Sequence, residues 1–217
     1  MDSRGRKMLH ASRQKAKEVD GCMVLVKMTD SVLEDCKRNL KELIKNKAFL
    51  VRSPDEEPFK LASGDTSWTF FDCKLVTQDP QGIKLIAEII YEMVKDYDLD
   101  GIGGIETGSI PISTAVAQLS FLKGKQIPSF WVRHKPREHG TMNIVEGGLQ
   151  PNSKVVILDD VTTRGNSVEK AVREVQKMNC EIVELITMVD REAGARDKFK
   201  KMRIKFTSLF KMSDFKS

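Results

Sequence analysis

Val155-Val156-Ile157-Leu158-Asp159-Asp160-Val161-Thr162-Thr163-Arg164-Gly165-Asn166-Ser167 decides how the rest of the chain reads. Its unbroken apolar start predicts a buried strand, Lys154–Leu158, that delivers two adjacent carboxylates to its C-terminal edge. A turn of small polar residues follows and opens a helix, Ser167–Met178. A helix N-terminus offers unpaired N–H groups and a partial positive charge. Thr162, Thr163 and Ser167 add hydroxyls, Arg164 and Asn166 add further donors, and Gly165 lets the backbone close around a ligand. Together these build a pocket for a phosphate monoester. The plainer reading, Asp160 as helix cap with Thr and Ser as turn formers, does not account for the doubled acid, the two threonines and the glycine together. Two carboxylates beside a phosphate make sense when they face hydroxyls, a metal or a developing cation. A ribose 5-phosphate meets these conditions, with its phosphate on the turn and its 2- and 3-hydroxyls on the acids.

Outward from this stretch the chain alternates strand, turn and helix. Strands are predicted at Asp100–Ile105, Ser129–Arg133, Ile182–Val189 and, last, Ile204–Phe206. Pro111–Phe121 reads as a helix. Ile83, Ile86, Ala87, Ile90, Met93 and Val94 form the apolar stripe of another, with Asp79 as N-cap and Pro80 at its first position. This alternation predicts an α/β fold with a doubly wound, mainly parallel five-stranded sheet and helices on both faces. Ligands on such sheets bind at the carboxyl ends of the strands. Before the core, Leu33, Cys36, Leu40, Leu43 and Ile44 predict a helix over 31–47, with Ser31 and Glu34 as a capping box. Residues 48–60 read as loop, and 59–62 and 68–74 as two strands across a Ser63-Gly64-Asp65 turn. The division expected is a basic extension, 1–30, and one domain, 31–217, with a hood over about 31–78 and a core over about 79–210.

Composition narrows the class. The chain has 217 residues, 40% hydrophobic and 31% charged, with four cysteines in no metal-binding spacing. This argues against a membrane protein, a disulfide scaffold, a zinc finger and a repeat array, and for a cytoplasmic protein with reduced thiols. The net charge of +5 suits any phosphate-rich ligand, and residues 3–17 hold six Lys/Arg and no acid. A solvated basic end is the plain reading there; nucleic acid as a partner is not expected.

The acidic stretch resembles the phosphoribosyl-diphosphate signature of the type I phosphoribosyltransferases. Further segments, in order over roughly residues 30–200, resemble the orotate-using branch of that family. Ser63-Gly64-x-x-Ser67-x-x-Phe70-Phe71-Asp72 resembles its base-binding hairpin, and Gly104-Ile105-Glu106-Thr107-Gly108-Ser109-Ile110-Pro111 its diphosphate-binding turn. Arg133-His134-Lys135-Pro136-Arg137-Glu138-His139-Gly140, followed by Glu146-Gly147, resembles its catalytic loop. Val189-Asp190-Arg191-Glu192-x-Gly194 resembles the strand end that meets the base.

The resemblance implies transfer of ribose 5-phosphate from phosphoribosyl diphosphate to orotate, a step of pyrimidine synthesis, with Mg2+ as cofactor. It implies a homodimer whose catalytic loop reaches the neighbouring site. Asp159, Asp160, Lys135, Arg137 and His139 are the catalytic candidates, His139 as a proton donor to the leaving diphosphate. Arg133 and His134 join the cationic loop. Either Phe70 or Phe71 meets the base while its neighbour packs inward, since adjacent strand residues face opposite ways. Arg191 is placed to fork the orotate carboxylate. The family hairpin commonly reads Leu-Lys-Ser-Gly; here Ala62 holds the lysine's place and Lys60 lies two residues earlier on the same face. His134 and Arg137 stand where the loop usually carries lysines. The alternatives are a salvage enzyme for another nucleobase and a non-catalytic sensor of phosphoribosyl diphosphate.

Overall fold

A computed structural model describes residues 28–61, 64–135 and 143–216. The basic N-terminal stretch, Ala62, Ser63, Arg137 and His139 lie outside these residues.

Helix α1 (Asp30–Lys47) packs Cys36, Leu40 and Ile44, four residues apart, against the core. Its cap is Thr29, which accepts from the Val32 N–H, and not the expected Ser31. The predicted loop after it contains a short strand, β1 (Phe49–Val51). The hairpin is also divided: β2 (Phe59–Lys60) pairs with β3 (Thr66–Ser67), while β4 (Thr69–Phe71) pairs antiparallel with β1. A helical turn, α2 (Lys74–Thr77), replaces the predicted end of that strand. Helix α3 (Pro80–Val94) begins as expected, with Asp79 Oδ1 accepting from the Gln81 and Gly82 N–H groups at 2.9 Å.

The core alternates β5 (Gly101–Ile105), α4 (Ser109–Leu122), β6 (Ser129–Val132), β7 (Val145–Glu146), β8 (Lys154–Thr162), α5 (Asn166–Lys177), β9 (Glu181–Asp190), α6 (Ala195–Lys201) and β10 (Phe206–Lys211), then a 3-10 turn (Met212–Phe215). The sheet order is β10-β9-β8-β5-β6-β7. The five predicted strands run parallel, and β7 adds an antiparallel edge inside the predicted long loop. The last strand lies at 206–211, later than the predicted Ile204–Phe206, because the chain leaving the unpredicted α6 turns at Arg203 (φ 59) and the Ile204 N–H bonds back to the Phe199 carbonyl.

Side-chain alternation explains the double winding. Val156 and Leu158 of β8 pack with Ile86, Ile90 and Ile112 on one face; Val155 and Ile157 pack with Val168, Val172 and Phe199 on the other. Chain order reverses between β5 and β8, and ligands of open α/β sheets bind in the crevice at such a point. The carboxyl ends of these two strands carry the acidic pair and the glycine-rich turn.

Candidate active site

The alternation of β8 continues into its acidic end and separates the two carboxylates. Asp159 follows the odd positions towards α5 and lines a pocket of about 90 Å3 formed with residues 161–168. Asp160 lies on the opposite side, against the turn after β5, so that a Cβ added at Gly108 would overlap its carboxylate. One strand end therefore presents one acid to the phosphate-type pocket and one to the glycine-rich turn. Asp159 is buried, and Thr162 Oγ1 donates to its Oδ2 at 2.7 Å. Burial first, and the neighbouring Asp160 second, push Asp159 up to about 8. Burial also raises Asp160, against the Val161 N–H that donates to it at 2.8 Å and the charge of Lys74.

Gly165 caps α5 at φ 75, a left-handed conformation that favours glycine, and no side chain caps the helix. The first N–H groups of α5 thus face the pocket without a side-chain acceptor. Thr163, Arg164, Gly165, Asn166 and Ser167 line it as predicted. Thr162 lines it too, but its hydroxyl is engaged by Asp159. Asn166 Oδ1 accepts from Lys198, which also pairs with Glu169 at 2.8 Å. Arg164 reaches across to Asp65 on the hood at 3.0 Å.

In the opposing turn the Glu106–Thr107 peptide is cis. Thr107 is exposed, whereas Ser109 is buried and donates to the Ile105 carbonyl at 2.7 Å, so only its backbone can serve a ligand. Arg133 pairs with Glu146 at 2.9 Å and lies 3.7 Å from Glu106. The His134 N–H donates to Glu106 Oε1 at 2.7 Å, and its carbonyl accepts from Lys170. Lys135 is exposed.

The hood resolves the phenylalanine pair. Phe71 is 4% exposed and packs on Phe49 and Phe215, which corrects its candidacy as a base contact. Phe70, on the other face, stacks on Phe59 at 5.4 Å, and Arg52 lies 4.1 Å over the Phe59 ring. Lys60 is exposed on β2. Arg191, 8% exposed at the end of β9, donates through Nη2 to Ser67 Oγ (3.0 Å) and the Thr69 carbonyl (3.1 Å). Among the described residues no carboxylate pairs with it, and burial lowers its pKa. A buried guanidinium without an acid is costly unless a ligand supplies one.

Asp65, Ser67, Thr69, Lys74 and Lys170 were not among the sequence candidates. Asp65 and Ser67 fall within the hairpin motif without being singled out there; Thr69, Lys74 and Lys170 carry no motif and reach the site only through the fold.

The phosphoribosyl transferase domain family matches residues 74–214. The orotate phosphoribosyltransferase of Bradyrhizobium diazoefficiens is 47% identical over 160 residues, 71% of this chain and 85% of that protein. That of Aquifex aeolicus is 39% identical over 178 residues, 82% of this chain and 96% of that one. A crystal structure of Mycobacterium tuberculosis orotate phosphoribosyltransferase, in complex with 5-phospho-alpha-D-ribosyl 1-diphosphate, superposes with a TM-score of 0.67 at 27% identity, covering 83% of this chain and 98% of that one. With its acidic strand end, uncapped helix and opposing turn, the chain belongs to the phosphoribosyltransferase family, among the orotate phosphoribosyltransferases.

Proposed function

We propose that the chain transfers ribose 5-phosphate from phosphoribosyl diphosphate to N1 of orotate, releasing diphosphate. The observation that carries the reading is the buried Arg191, which has no acidic partner among the described residues and is bonded to the hood strand that presents Phe70. Orotate supplies the carboxylate that such a guanidinium lacks.

The reaction breaks the C1–diphosphate bond through an oxocarbenium-like transition state. The 5-phosphate sits on the N-terminus of α5. Asp159 and Asp160 take the ribose hydroxyls and offset the charge developing on the sugar. Backbone N–H groups of Thr107, Gly108 and Ser109 face the diphosphate. Arg191 and Phe70 orient the base so that N1 meets C1. Lys135, Arg137 and His139 neutralise the leaving group, His139 by giving it a proton, while N1 sheds its own proton to solvent as it bonds to C1.

Mg2+ fits the oxygen donors here. It would bind through one or two carboxylates plus substrate phosphates, and the strand end offers Asp160 beside the diphosphate turn. When bound, it supplies charge neutralisation at the diphosphate.

A homodimer that shares the catalytic loop belongs to the same reading. Apolar side chains exposed on the hood support it: Val51 (64%), Leu75 (50%) and Trp68 (45%). No described helix is long and apolar enough to cross a membrane, and a cytoplasmic location fits the unpaired Cys36, Cys73 and Cys180.

The test is diphosphate release from phosphoribosyl diphosphate and Mg2+ with each nucleobase in turn. Release is expected with orotate. Release with another base alone, or with none, overturns the assignment.

A further inference from the structure

The loop carrying Arg191 is anchored by a turn that the reaction itself does not use. Asp190 ends β9, and its Oδ1 accepts from the Glu192 N–H at 2.8 Å. Glu192 stands at φ 57, in the left-handed region, where non-glycine residues are uncommon. Its Oε2 accepts from the Ser213 N–H at 2.8 Å. Ser213 belongs to the Met212–Phe215 turn, which Asp214 closes by accepting from the Lys211 N–H at 2.7 Å. Lys211 in turn pairs with Asp190 in the sheet.

The same turn reaches the hood. Phe215 is 3% exposed, with its ring 5.2 Å from Phe71 and 5.8 Å from Phe49. Phe71 neighbours Phe70, and Thr69 of the same strand accepts from Arg191. One four-residue turn thus holds the Arg191 loop through Glu192 and the Phe70 strand through Phe215.

We propose that the Met212–Phe215 turn is a positioning element for the nucleobase, setting the separation of Arg191 and Phe70. This rests on the orotate reading. The turn acts on the base through the loop, by Glu192, and through the hood, by Phe71. Misplacing a binding group by about 1 Å is enough to weaken its function strongly. Such an element acts on the base and leaves the sugar-phosphate pocket, built by β8 and α5, as it is.

Steady-state kinetics of the full chain and of Glu192→Ala, Glu192→Gln and Phe215→Ala test the proposal. Glu192→Ala and Phe215→Ala are expected to raise KM for orotate roughly tenfold and to leave KM for phosphoribosyl diphosphate within about twofold. Glu192→Gln keeps an oxygen that accepts from Ser213 and is expected to retain the unaltered KM. Both KM values rising together, or neither moving in Glu192→Ala, overturns the proposal while the orotate assignment stands. If Phe215→Ala does not fold, Glu192→Ala decides alone, since that side chain is exposed. An unaltered chain that fails to use orotate overturns the assignment and this proposal with it.

Discussion

Asp159 carries a conflict between stability and function. Its carboxyl lies in the interior, beside a second acid, with the Thr162 hydroxyl and the Asp160 backbone N–H too little to offset both. Its folded value of about 8 exceeds the ordinary 3.8, so across that window the folded chain holds a proton that the unfolded chain releases. Stability therefore falls as pH rises from the lower value to the upper. Asp159→Asn removes this dependence and keeps an oxygen for Thr162 to donate to. With the cost of the buried charge relieved, Tm should rise by roughly 4 °C or more at pH about 8, and the gain should narrow towards the acid end of the window. The same variant should lose more than about a hundredfold in turnover, because a carboxyl can ionise beside the developing cation and an amide cannot. Thermal melts across the pH range, paired with the diphosphate assay, check both parts. A variant that melts below the unaltered chain at pH about 8 refutes the account.

Between elements, the close approach of β5 and β8 fixes the site. Gly108 has no room for a side chain because Asp160 occupies the space. Gly108→Ala should push that acid aside and cut turnover by about a hundredfold while the sheet and its Tm persist. Kinetics and melting curves measure this, and undiminished turnover would show that Asp160 needs no fixed place. The motif at 155–167 was legible in the sequence because strand period and turn chemistry are local. The same holds for Asp79 as cap of α3, and for Arg191 at its strand end. Elements that depend on distant partners were not legible. β1 has three residues and exists by pairing with β4, while α6 has seven and buries only Ala195 and Phe199, too short a stripe to read as a helix. The site divided the same way. Its acids and phosphate turn could be read, but the Arg164–Asp65 and Arg191–Ser67 contacts join residues 99 and 124 positions apart. Lys74 is drawn near Asp160 by the hood fold alone. Which of Phe70 and Phe71 faces inward depended on β4 pairing with β1, a partner hidden in the predicted loop.

At the scale of the whole molecule, the site has an anion nest, two acids and a base clamp, and the leaving group still needs cations. Arg133, next to the glycine-rich turn, is held between Glu106 and Glu146. Beyond what Mg2+ supplies, the charge that stabilises diphosphate is then left to the loop that follows. If that loop acts in a neighbouring copy, loss of the acid and loss of the loop cation are complementary defects. Asp159→Asn alone and Arg137→Ala alone should each be inactive. Mixed and allowed to exchange subunits, half of the dimers pair one of each variant at random, and each such dimer has one site with both an intact acid and an intact loop. The mixture should recover about a quarter of the unaltered activity per site. Recovery must depend on exchange, so cross-linking each variant before mixing should abolish it. If the loop serves its own chain, every site in every hybrid lacks one group or the other. Activity in the mixture then stays at the level of the two parents, and the shared-loop dimer is refuted even where the protein sediments as a dimer.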